Sequence, residues 1–129
     1  MAKDFIVDLE DRPGSGATAA EALGKAGINI AGFCALAFGG KAFAHVLVED
    51  ATATRSAIEQ AGFKVIDERD AVVAEVADRP GELGKLLRRI AEAGVNLNTA
   101  YLAPGGRAVL VGNNLDKLRV AVGASRQRA

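Results

Sequence analysis

Apolar and polar residues alternate at the start of the chain: Phe5, Val7 and Leu9 alternate with Asp8 and Glu10. That period of two predicts a strand with one buried face. Asp11-Arg12-Pro13-Gly14 interrupts it and opens a helix running to about Ala26, where Gly27 supplies the stop. Ile28 to Ala37 reads as a second strand, Gly39-Gly40 as a hairpin turn, and Ala42 to Val48 as a third strand. Asp50 is placed to cap a helix carrying Ala57, Ile58 and Ala61, and Phe63 to Ile66 gives a fourth strand. The predicted order is β-α-β-β-α-β.

The same order then recurs. Asp78-Arg79-Pro80-Gly81 repeats Asp11-Arg12-Pro13-Gly14 at a separation of 67 residues, and Ala93-Gly94-Val95-Asn96-Leu97 repeats Ala26-Gly27-Ile28-Asn29-Ile30 at the same separation. Two matches at one offset indicate a duplication. Gly105-Gly106-Arg107-Ala108 answers Gly39-Gly40-Lys41-Ala42 at 66, so a single-residue deletion is expected in the intervening strand or turn. Leu83, Leu86, Leu87 and Ile90 form one helical stripe in the second copy, whereas Gly16, Ala19, Ala20 and Leu23 form a thinner one in the first. Leu115 to Val122 fits a last helix, although Leu118 to Val122 could also be a strand. The polar tail Ser125 to Ala129 is expected to fray, leaving the second copy without its last strand.

A β-α-β-β-α-β unit of this size builds an antiparallel sheet with both helices on one face. The fold class is therefore α+β, two ferredoxin-like sandwiches in tandem, with domains expected at 1–69 and 70–129.

Composition narrows the function. Sixteen basic residues balance sixteen acidic ones, which gives no support for a nucleic-acid-binding face. One Cys (Cys34) and one His (His45) exclude an internal disulfide and the usual zinc arrangements. No apolar run approaches the roughly 20 residues that cross a bilayer, and the start shows no signal-peptide pattern, so a cytoplasmic setting is expected. No nucleophile-base-acid set is visible, so an enzyme is not expected, and neither is a cofactor. Gly14-Ser15-Gly16-Ala17-Thr18-Ala19 mimics a dinucleotide fingerprint, but the second copy lacks its second glycine and no acidic residue follows at the required spacing. Lys41 and Arg107 suit hairpin turns and read as solvated, and His45 reads as a structural or interface residue.

The strand-to-helix loop carries the candidate chemistry. Gly14 and Gly81 let a ligand approach the backbone, and the helix-start amides attract a carboxylate. Asp11 and Asp78 could accept from an ammonium group, and Asn29 and Asn96 offer both donor and acceptor. An α-amino acid needs this combination. Each residue has an equally simple reading as a turn, with Asp as helix cap and Asn at a strand start.

Asp78-Arg79-Pro80-Gly81-Glu82-Leu83-Gly84 with Ala93-Gly94-Val95-Asn96-Leu97 resembles the signature of ACT domains, and the first copy resembles it through Asp11 to Gly14 and Ala26 to Ile30. The likeness covers residues 4 to about 122, and the whole is similar to stand-alone tandem ACT proteins. The resemblance implies an amino-acid-binding regulatory module, oligomeric, acting through ligand-dependent association with itself or with a metabolic enzyme or regulator. A ligand-free dimerisation or assembly domain is the alternative. The implied ligand contacts are Asp11, Arg12, Pro13, Gly14 and Ser15 with Asn29, and Asp78, Arg79, Pro80, Gly81 and Glu82 with Asn96, each loop meeting the second strand of a neighbouring unit. The first copy departs from the pattern with Ser15-Gly16-Ala17 in place of Glu-Leu-Gly. Some serine-binding members place a histidine before this loop, where this chain has Leu9 and Val76.

Overall fold

A computed structural model describes residues 1–123 and 126–128 of the chain. Two compact units, Ala2–Arg69 and Asp70–Ala129, divide it.

The first unit contains β1 (Lys3–Leu9), α1 (Ser15–Lys25), β2 (Gly32–Phe38), β3 (Lys41–Val48), α2 (Ala51–Gln60) and β4 (Lys64–Asp70), whose last residue begins the second unit. Its sheet order is β2-β3-β1-β4. Both helices cover one face, where Phe5, Val7, Ala44, Val46, Leu23 and Ile58 are buried together. Fully burying a side chain such as Phe5 or Ile58 is worth about 1.5–3 kcal/mol. The predicted cap of α2 is present: the Ala53 amide donates to Asp50 Oδ1 at 3.0 Å.

The second unit repeats the order with β5 (Val72–Glu75), α3 (Glu82–Glu92), β6 (Leu97–Ala103), β7 (Arg107–Gly112), α4 (Leu115–Val122) and β8 (Gln127–Arg128). Leu86 and Ile90 of the predicted stripe are buried, with Leu87 packed beside them. Residues 118–122 are helical rather than extended, with Asn114 as cap accepting from the Lys117 amide at 3.0 Å.

Three boundaries differ from expectation. β2 begins at Gly32 rather than Ile28, because Ile28 and Ile30 pack on the core before the strand ladder starts. β4 runs on past Ile66 to Asp70. The expected loss of the second copy's last strand is a shortening to two residues: Gln127 and Arg128 pair antiparallel with Ala74 and Val73. Gln127 is held there further, its Nε2 donating to the Arg119 carbonyl at 2.8 Å. Ser125 and Ala129 of the tail lie outside the described residues. The one-residue slip between copies does not come from the turn, which is longer in the second (Pro104–Gly106 against Gly39–Gly40). It comes from the stretch between Asn96 and the end of β6.

Candidate functional site

Each loop leaves the sheet at the hairpin end. Leu9 pairs with Ala42 beside the Gly39–Gly40 turn, so Asp11 to Gly14 rise next to that turn. In the second unit the Val76 amide donates to the Gly106 carbonyl at 2.8 Å and fastens the loop base to the hairpin. A side chain at Gly106 would stand 3.0 Å from the Val76 carbonyl oxygen, so the close approach needs glycine.

Gly14 and Gly81 are themselves the N-cap residues, in left-handed conformation with φ of 90° and 87°. Neither helix start has a side-chain cap, so Asp11 and Asp78 are not helix caps. Both are exposed, and neither carboxylate has a partner among the described residues. The amides of Gly16 and Ala17, and of Leu83 and Gly84, likewise find no acceptor among the described residues. Exposed helix-start amides carry partial positive charge and favour an anion.

The two loops then diverge. Ser15 is buried, and its Oγ accepts from the Glu10 amide at 3.0 Å, so this hydroxyl braces the loop. Glu82, its counterpart, puts a carboxylate at the helix start, 3.6 Å from Arg79 Nη2 and 3.5 Å from Lys85 Nζ. Arg12 pairs instead with Glu10. Pro13 and Pro80 are exposed in the turn.

Each loop lines a cavity. In the second unit a cavity of about 370 Å³ lies between Asp78-Arg79 and the β6–β7 hairpin, walled by Val76, Leu83, Leu102 and Arg107. In the first unit a cleft of about 900 Å³ runs from Asp11-Arg12 past Lys41 and Phe43 to Lys64. Lys41 and Arg107, read from sequence as solvated hairpin residues, both line these cavities. Their recurrence after each Gly-Gly pair was the available signal.

Asn29 and Asn96 stand elsewhere. Ala31 donates to the Leu47 carbonyl, and Gly32 pairs with Leu47, which is level with the Lys3 end of β1. Asn29 therefore sits at the opposite end of the sheet from Asp11, roughly 20 Å away over six strand residues. Asn96 is placed likewise: its backbone exchanges bonds with Asn113 at 3.0 and 3.1 Å beyond the Gly112 end of β7. Both asparagine side chains are exposed, without hydrogen-bond partners among the described residues. No unit brings its own loop and its own asparagine to one small ligand.

His45 lies away from the loop of its own unit: its Nδ1 is 3.1 Å from the buried carboxylate of Asp4. Among the described residues no group of three potential metal ligands occurs, and no helix is long and apolar enough to cross a membrane.

No family model matches the chain, and no curated protein does. Solved structures do. A Bacteroides thetaiotaomicron protein superposes with a TM-score of 0.78 at 25% identity, over 92% of this chain and 84% of that one. The regulatory subunit of aspartate kinase from Thermus thermophilus gives 0.73 at 19% identity, over 94% of this chain and 87% of that one. Its equivalent from Thermus flavus gives 0.70 at 20%, over 94% and 89%.

Proposed function

We propose that this chain, which has the tandem ACT fold, is a regulatory module that binds a free α-amino acid and changes its association when it does. The observation that carries the reading is the loop itself. In both units an exposed aspartate without a partner among the described residues stands beside helix-start amides without acceptors, at the rim of a cavity. A carboxylate suits the amides and neighbouring cations, and an ammonium group suits Asp11 or Asp78. Both asparagines are at the far end of their own sheets, so we place them in sites that a loop from a second copy of the chain completes.

The chain acts by binding and needs no cofactor; its output passes to a copy of itself or to a metabolic enzyme or regulator. Two structures with this fold are regulatory subunits of aspartate kinase, which supports that assignment of role. A cytoplasmic setting belongs to the same reading, with Cys34 kept as a thiol.

Thermal unfolding against a panel of the standard amino acids tests it, because a ligand that binds only the native state raises Tm. At least one amino acid is expected to raise Tm, and Asp78→Asn or Asp11→Asn to weaken the effect. A folded sample with no response at millimolar concentrations rejects the reading.

The second reading, a ligand-free assembly domain, is favoured by one observation. Edge strand β2 exposes Leu36 and Phe38, at 63% and 83%. An apolar unpaired edge invites pairing with another chain. Under that reading Phe38→Lys abolishes oligomers while no amino acid alters Tm.

A further inference from the structure

The two cavities share a polar frame and differ in their apolar walls. Asp78, Arg79 and Arg107 in the second unit answer Asp11, Arg12 and Lys41 in the first by their places in the repeated motifs. Leu83 answers Gly16, five residues beyond the aspartate of each loop. Leu102 pairs across its hairpin with Ala108, and Ala42, the counterpart of Ala108, pairs with Ala37. Two leucines thus stand in the second unit where the first has glycine and alanine.

Leu102 is 59% exposed, and Leu83 is half-buried, and both line the half-open cavity of about 370 Å³ with Val76. A large apolar side chain left open at a cavity wall loses favourable burial unless something apolar covers it. The volume is at the small end of the roughly 300–1,000 Å³ range of small-molecule sites. The first unit's cleft is larger and lined both by the charged Asp8, Glu10, Asp11, Arg12, Lys41 and Lys64 and by the apolar Leu9, Phe43, Phe63 and Ile66.

On the amino-acid-binding reading above, we infer that the second unit's cavity selects an amino acid with an aliphatic side chain of valine to methionine size. The ligand ammonium meets Asp78. Glu82 already supplies negative charge at the helix start, so the ligand carboxylate is directed to the guanidinium groups of Arg79 and Arg107. The side chain lies against Leu83, Leu102 and Val76. In the first unit Gly16 and Ala37 hold the places of Leu83 and Leu102, and its wider cleft does not offer this fit.

Thermal shift and calorimetric titration of the full chain test this with L-leucine, L-isoleucine, L-valine and L-methionine against glycine, L-serine, L-aspartate and L-lysine. The aliphatic set is expected to raise Tm by several degrees at saturation through the second unit. Leu102→Glu, on an exposed position that leaves the fold intact, should weaken their binding at least tenfold, while Ala37→Glu leaves it unchanged. Binding by polar or charged amino acids alone, or aliphatic binding indifferent to Leu102→Glu, overturns the inference and leaves the amino-acid reading standing. A flat response to every amino acid overturns both.

Discussion

Arg69 Nη2 donates to Asp4 Oδ2 at 2.7 Å, and the aspartate side chain has 0% exposure. The last residue of the first unit is thereby tied to the second residue of its first strand. His45 adds a contact at 3.1 Å from β3, so the carboxylate joins β1, β3 and the end of β4. Removing one partner of a buried pair leaves an uncompensated charge, which costs about 3–5 kcal/mol. Asp4→Ala should lower the urea-unfolding free energy by that amount. Replacing both partners, as Asp4→Leu with Arg69→Met, should recover most of the loss, because neither charge then remains buried alone. A single-variant loss below about 1 kcal/mol would show that the pair does not support the fold.

Glycines within helices and strands separate along different lines. A methyl group at Gly24 in α1 or Gly84 in α3 would meet nothing within 4 Å. Gly24→Ala and Gly84→Ala should therefore each stabilise by about 0.5–1 kcal/mol through helix propensity alone. At Gly112 the same methyl would lie 2.9 Å from Val95 Cγ1 and 3.3 Å from the Asn96 carbonyl oxygen. Gly112→Ala should destabilise by about 1–3 kcal/mol, the usual cost of overpacking. Thermal melts of the three variants side by side check both signs.

How much of this was legible in the sequence depended on whether a feature is local. The stripe Leu83, Leu86, Leu87 and Ile90 encodes α3 by periodicity alone, and Asp50 opens α2 as its chemistry dictates. The start of β2 was not legible, because Ile28 and Ile30 are apolar for packing and the strand begins only where its ladder does. Two-residue β8 carries no pattern at all, and its pairing depends on the exposed edge of β5. The loops announced themselves by repetition. Leu102 did not, and Arg107 repeated Lys41 without showing its place, since only hairpin pairing brings both beside Asp78. Asp4 read as an ordinary polar residue at a strand start, and its burial follows from an arginine 65 positions away.

Ser15 and Glu82 hold equivalent places and should respond differently to truncation. The Ser15 hydroxyl is buried and takes the Glu10 amide, so Ser15→Ala leaves that donor unmet at a cost of about 1–2 kcal/mol. Glu82 makes only long contacts at 3.5 and 3.6 Å, so Glu82→Ala should cost about 0.5 kcal/mol or less. Chemical denaturation distinguishes them. Hydrogen exchange at the Glu10 amide should accelerate in Ser15→Ala alone.

Asn96 and Asp78 sit at opposite ends of one sheet, separated by the length of β7 from Arg107 to Gly112, roughly 17 Å at strand spacing. A single amino acid cannot touch both in one unit. If Asn96 contributes to a site completed by the loop of a second chain, Asp78→Asn and Asn96→Ala each disable every such site in a homodimer. Mixing the two variants should then restore binding, because a mixed dimer pairs one intact loop with one intact asparagine and places both defects at its other site. Calorimetry is expected to show no binding for either variant alone and up to half the native site number in a fully mixed dimer. Asn96→Ala that binds like the native chain removes the asparagine from the site. Variants that stay silent after subunit exchange place Asn96 and Asp78 in separate functions rather than in one shared site.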